Sequence, residues 1–195
     1  PRQARILATV YSRQFRPFRQ ALLNRMIDPL CQKGVNRLDL AVSNHPHIQF
    51  PVQTHWMPDY FYRPERYTRF VRQTKAEQVV CAGIMRSDKD LSGLIAVFRD
   101  GDFPLRIVGR FKDRLWREQV TQEIRPPVTL EDRFLEPEEF NVLLGQSRFI
   151  ALPYKQKDYQ ERTSGILLEA VYLDCIPVAP RYLLEFNGLC GVGYD

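Results

Sequence analysis

The sequence predicts an α/β protein organised around a Rossmann-like doubly wound parallel sheet. From residue 76 onward, short and continuously apolar runs alternate with segments of helical period, as strands buried on both faces and joined by helices require. Residues 148–154, 161–170 and 176–180 read as one strand–helix–strand unit whose helix opens on Thr163, Ser164 and Gly165. No internal repeat or low-complexity tract competes with this architecture.

The elements follow in order. Residues 5–11 are a short apolar run with β-branched content, a buried strand. Phe18, Leu22, Leu23, Met26, Ile27 and Leu30 then recur at helical spacing, with Arg16, Arg19 and Arg25 mostly on the other side. This predicts a basic amphipathic helix that ends or bends at Pro29. Gly34 is its stop, and residues 38–43 and 48–52 are the next two strands. The alternation breaks over residues 55–72. There Trp56, Tyr60, Phe61, Tyr62, Tyr67 and Phe70 interleave with arginines and are punctuated by Pro58 and Pro64, without the strand pattern of a base-stacking module, so the stretch reads as an interdomain connector.

Strands are expected next at residues 78–84, 105–109 and 128–130. Between them, Leu91, Leu94, Ile95 and Phe98 mark one helix face, and a second helix starts at Leu115 and Trp116 and is over by Pro126. Glu136, Pro137, Glu138 and Glu139 open a third, with proline in the first turn and acids suited to the dipole. A last helix begins near Tyr182 and runs into a glycine-rich end, residues 188–193.

Composition narrows the function classes. The chain has 195 residues, 44% of them hydrophobic, enough for a sizeable core. Lys and Arg number 28 against 23 Asp and Glu, a net charge of +5, but the arginines are scattered from Arg2 to Arg181, so no nucleic-acid partner is expected. The cysteines Cys31, Cys81, Cys175 and Cys190 form no CxxC pair, and no apolar run reaches the roughly 18 residues of a membrane span. Reduced thiols in a cytoplasmic protein are the expectation. His45, His47 and His55 cluster without a carboxylate or thiol at ligand spacing, so no metal site is expected.

In a doubly wound sheet, ligands bind beyond the carboxyl ends of the strands, which puts residues 153–165 in the crevice. The amides of Thr163, Ser164 and Gly165 at a helix N-terminus suit a phosphate, and glycine leaves the backbone open to close approach. Glu169 is one turn on, on the side of Gly165, and helical side chains lean toward the N-terminus. A carboxylate there repels phosphate and calls for hydroxyls or a cation, such as the vicinal hydroxyls of a ribose. Taken alone, two glutamates with seven residues between them, Glu161 and Glu169, are equally a loop acid and a helix-surface acid.

The surrounding residues form a larger pattern: Ala151-Leu-Pro-Tyr154, then Glu161 with Glu169-Ala170, then Ile176-Pro-Val-Ala-Pro180. It resembles the nucleotide-sugar-binding domain of the GT-B fold glycosyltransferases of the retaining, glycogen-synthase-like and sucrose-synthase-like group. Gly83 with Lys89 is similar to that group's glycine-containing first strand and phosphate-contacting lysine, and Ile107-Val-Gly109 to its second strand. Trp56-Met-Pro-Asp59 resembles its interdomain link. Ile84 stands where the group usually has an arginine, with Arg86 two residues later.

The resemblance implies residues 1–55 as the tail of a partial α/β acceptor domain, 56–75 as a linker, and 76–195 as a C-terminally incomplete donor domain, so that the chain looks like a fragment. It implies transfer of a sugar, with retention, from a nucleotide-sugar donor to a carbohydrate or lipid-linked acceptor hydroxyl, without a bound metal or other cofactor. Glu161 would contact the donor sugar, Glu169 the ribose, Ser164 and Gly165 the diphosphate, and Lys89 the leaving group, with Arg86 beside it. Backbone near Thr129 and Leu130 would meet the base. The basic helix near Arg16 would suit an anionic or lipid-linked acceptor at a membrane surface. The alternatives are a nucleotide- or sugar-phosphate-binding module without transferase activity, and another GT-B enzyme such as a nucleotide-sugar epimerase.

Overall fold

A computed structural model describes residues 6–10, 38–43, 54–56, 64–71, 74–159 and 164–195. They belong to two compact units divided after residue 60. The described part of the smaller is a parallel sheet in the order β1 (Ile6–Val10), β2 (Leu38–Ser43), β3 (Thr54–Trp56). Strands were expected at β1 and β2. β3 falls at the start of the aromatic stretch, and the expected helix over 18–30 and strand at 48–52 lie outside the described residues.

The larger unit contains a six-stranded, all-parallel sheet. Its strands are β4 (Ala76–Ala82), β5 (Leu105–Val108), β6 (Val128–Glu131), β7 (Ser147–Ala151), β8 (Ile176–Pro180) and β9 (Val192–Tyr194). The spatial order is β6-β5-β4-β7-β8-β9. The chain winds outward from β4 to one edge, crosses back to β7 and winds to the other edge, which makes the β4/β7 boundary the topological switch point. This is the doubly wound Rossmann-like fold the alternating pattern predicts. β9 is the exception to that legibility: a three-residue strand inside the glycine-rich end, too short to carry a period of its own.

Helices α1 (Thr68–Val71), α2 (Leu91–Phe98), α3 (Arg114–Glu123), α4 (Pro137–Gly145), α5 (Gln156–Tyr159), α6 (Gly165–Tyr172) and α7 (Arg181–Asn187) surround the sheet. Alternate strand residues feed two cores. Val79, Cys81, Leu105 and Ile107 pack with Leu91 and Ile95 of α2 and Val120 of α3. Val80, Ala82, Val108 and Ile150 pack with Leu143 and Leu144 of α4, Leu167 of α6 and Leu183 of α7. Both faces are therefore covered, as the apolar strands demand. Tyr67 and Phe70, from the stretch read as a linker, are buried in this second core.

Local chemistry sets the helix starts. Asp90 accepts the Gly93 amide at 3.2 Å, Asp113 that of Trp116 at 3.0 Å, and Ser164 that of Leu167 at 3.3 Å. Each satisfies a first-turn donor that the helix itself leaves unpaired. α4 instead starts with proline and the acids Glu138 and Glu139. Among the described residues no helix is long and apolar enough to cross a membrane.

Candidate functional site

The carboxyl ends of β4 and β7 meet the N-terminus of α6 at the switch point, and glycine makes that approach close. Gly83, immediately after β4, has φ +98°, and a Cβ there would lie 2.8 Å from the Ile166 side chain in the first turn of α6. Its amide donates to the Val108 carbonyl at 3.1 Å, and a side chain on Gly109 would run into the Gly83 carbonyl. Pairing continues past the strands, where Met85 bridges Phe111 and donates its amide to the Arg110 carbonyl at 3.0 Å. The glycine of the first strand is thus held rigidly against both the second strand and α6.

The segment after β7 is hydrogen-bonded to the segment after β4. Lys89 and Tyr154 form an antiparallel bridge, the Asp90 amide donates to the Pro153 carbonyl at 2.6 Å, and the Lys155 amide donates to the Asp88 carbonyl at 2.9 Å. The Lys155 ammonium adds a bond to the Ser87 carbonyl at 2.9 Å. Side chains complete the contact. The Arg86 guanidinium lies 3.1 Å from Asp88 Oδ2 and donates to the Tyr159 hydroxyl at 3.2 Å. Tyr159 stacks on Tyr154 with centroids 3.8 Å apart, and the Tyr154 hydroxyl lies 3.0 Å from Ser164 Oγ.

Lys89 sits under this cover. It is 3% exposed, its ammonium donates to the Ala82 carbonyl at 3.2 Å and approaches Met85 Sδ at 3.8 Å, and the Tyr154 ring centroid is 5.8 Å away. Neither partner carries charge. Burial pushes its pKa down from the usual lysine value, partly opposed by Cys81 and Asp88. Tyr154 and Tyr159 are pushed up, chiefly by burial.

Glu169 has a different environment. It is half-buried on α6, burial raises its pKa, and among the described residues its carboxylate has no hydrogen bond or ion pair. Burial, and after it the Glu169 charge, raises the pKa of Tyr67, whose ring stacks on Tyr172 of the same helix at 5.7 Å. A half-buried carboxylate of this kind is an acceptor whose lost hydration nothing among the described residues replaces.

The expected site residues therefore separate into groups. Gly83, Arg86, Lys89, Ser164 and Gly165 come together at the β4/β7 boundary, with Glu169 one turn along α6. Thr129 and Leu130 lie within β6, paired with Arg106 and Ile107, and β5 separates them from β4. Leu130 packs in the core, and the Thr129 hydroxyl is turned to the Leu105 carbonyl at 3.5 Å. Glu161 and Thr163 lie outside the described residues. Ile84 is 44% exposed. Sequence reasoning did not single out Asp88, Lys155 or Tyr159, since their roles come from contacts between two loops that no spacing encodes. Among the described residues no group of three or more His, Cys, Asp or Glu is placed to hold a metal ion.

Fold and crevice place the chain among Rossmann-like α/β proteins, with cationic side chains and a helix N-terminus gathered at the switch point. Neither the models of known protein families nor the curated proteins compared with this chain give a match.

Proposed function

We propose that the larger unit binds the nucleotide part of a nucleotide-sugar, as the donor half of a retaining GT-B glycosyltransferase. The observation that supports this reading best is Glu169: a half-buried carboxylate, unpaired among the described residues, one turn inside a helix whose glycine-opened N-terminus abuts Gly83. A diphosphate at the helix N-terminus and vicinal ribose hydroxyls on Glu169 use both features at once. In this reading Glu161 contacts the donor sugar. The acceptor hydroxyl bonds to the anomeric carbon as the bond from that carbon to the diphosphate breaks, and the hydroxyl proton leaves with the diphosphate or to water. Lys89 and Arg86 offset the charge that develops on the leaving oxygens. The acceptor is a carbohydrate or lipid-linked hydroxyl in a cytoplasmic setting, and the basic segment near Arg16 suits an anionic membrane surface.

A second reading, a nucleotide- or sugar-phosphate-binding module without transfer, draws on the inward turn of Lys89 and the engagement of Arg86 with Asp88 and Tyr159. Isothermal titration with UDP, GDP and ADP tests what the two readings share. At least one nucleotide binds, and Glu169→Ala weakens it by about tenfold to a hundredfold, the range of hydrogen bonds to a charged group. Equal affinity of wild type and variant for every nucleotide would overturn the ribose assignment. Release of free sugar from a bound donor then separates transferase from module.

A further inference from the structure

The geometry points to a self-capped anion site: Tyr159 holds Arg86 and braces Tyr154, whose ring lies nearest the Lys89 ammonium, and a phosphate-bearing ligand competes for Arg86 and displaces Tyr159. The inference rests on the nucleotide reading for the identity of the ligand, but its geometry stands separately.

Two kinds of attachment hold the segment after β7. Pro153, Tyr154 and Lys155 are pinned through their backbones to Asp90, Lys89 and Asp88. Tyr159, at the far end of α5, is held through its side chain, by the 3.8 Å stack on Tyr154 and the 3.2 Å bond from Arg86. That bond joins a half-exposed cation to a neutral hydroxyl. A phosphate oxygen is a much stronger acceptor for a guanidinium, so the contact is one an anion can take over. Asp88 Oδ2 remains on Arg86 meanwhile, and Asp88 Oδ1 is buried with no partner.

The capped state leaves Lys89 poorly compensated. Its ammonium has a carbonyl and a thioether, both neutral. Among the described residues, the charged and titratable groups around it are Cys81 on β4, Asp88 and Arg86 on the preceding loop, and Tyr154 across the bridge, and none is a carboxylate in contact with it. An anion admitted beside Lys89 would supply the charge it lacks.

There is also a place for Tyr159 to go. A groove of about 820 Å³ lies along the outer side of the pinned segment, lined among others by Pro153, Gln156, Val178, Tyr182 and Tyr194. The Tyr182 hydroxyl is buried and without a partner, and Tyr159 is near enough to help raise its pKa. The groove offers an apolar wall for the displaced ring.

Two substitutions divide the cap into its parts, and both are read on the whole chain. Tyr159→Phe keeps the stack and frees Arg86. Tyr159→Ala removes both. Inorganic pyrophosphate is expected to bind each variant about threefold to tenfold more tightly than wild type, the scale of one hydrogen bond to a charged group in a half-exposed setting. Labelling by an amine-reactive reagent, followed by mass spectrometry with Lys112 and Lys155 as references, is expected to be slow at Lys89 in wild type and Tyr159→Phe. In Tyr159→Ala it rises at least about fivefold, as expected for a local opening that has lost most of its free-energy cost, and pyrophosphate suppresses it. Unchanged or weaker pyrophosphate binding in both variants overturns the cap, as does wild-type labelling in Tyr159→Ala. If pyrophosphate binding tightens while UDP, GDP and ADP bind no variant, the cap stands and the nucleotide reading fails. If no phosphate compound binds any variant, both fail.

Discussion

Burial raises the Glu169 pKa, and no cation among the described residues lies against its carboxylate. The sign follows from linkage: the folded chain holds this proton more tightly than the unfolded chain, so the contribution to stability is present below the usual glutamate range. It is lost as pH rises through the raised folded value, and at neutral pH the charged form is a net cost. Glu169→Gln is therefore expected to raise the ligand-free Tm at pH 7 by about 1–2 °C, with little change at pH 4, even as it weakens nucleotide binding. Differential scanning calorimetry at the two pH values checks this, and an unchanged or lower Tm at pH 7 would mean that the carboxylate is already compensated. Glu169 is a residue whose position was readable from the sequence, because a helix start and a one-turn offset are local facts. Its lack of a partner was not, since that depends on what the rest of the fold brings to it.

Gly83 and Gly109 act on the scale of elements, by letting the ends of β4, β5 and α6 converge. At Gly83 an added Cβ meets the end of one flexible side chain, Ile166, but the backbone is also in the left-handed region at φ +98°. At Gly109 the obstacle is the Gly83 carbonyl itself, which side-chain rotation cannot relieve. Gly83→Ala is expected to cost about 1–3 kcal/mol in urea unfolding, and Gly109→Ala more than about 3 kcal/mol. Adding Ile166→Val to Gly83→Ala removes the clashing methyl and recovers part of the loss, the remainder being backbone strain. The reverse order of the two single variants would show that β4, β5 and α6 do not meet as described. Among the helices around these strands, α4 was legible from Pro137 and the acids that follow it and α6 from its opening at residues 163–165, whereas α2 and α3 were read from their apolar residues, and their caps Asp90 and Asp113 emerge only in the structure. β9 was not, because its three residues become a strand only through pairing with β8.

Across the molecule, burial pushes one class of groups in one direction. Tyr67, Cys81, Tyr154 and Tyr159 are raised, as is Tyr194, while Cys175 is raised to about 11 and Tyr182 to about 12. In the unfolded chain these groups release protons near 9 for cysteine and 10 for tyrosine. The stability they contribute is complete below about pH 9 and falls as pH rises through the raised values. Lys89 works oppositely, since its folded pKa is lowered from 10.5 and stability from that group rises with pH toward the unfolded value. One lysine against this larger set leaves the net slope negative. The urea midpoint is expected to be lower at pH 10.5 than at pH 8, and a flat profile would mean that these side chains are better hydrated than their burial implies.

The sequence by itself determined the alternation of strands and helices, the openings of α4 and α6, and the place of Ser164, Gly165 and Glu169 beyond the strand ends. These follow from period, from the proline and acids of a first turn, and from the rule that ligand loops of a parallel sheet share one edge. Only the tertiary structure decided the strand order, the buried and uncompensated state of Lys89, and the contact of Arg86 with Tyr159. Those are relations between segments as far as 73 residues apart. A linear pattern specifies what each segment does to itself, whereas burial and pairing belong to whichever segments the sheet brings side by side.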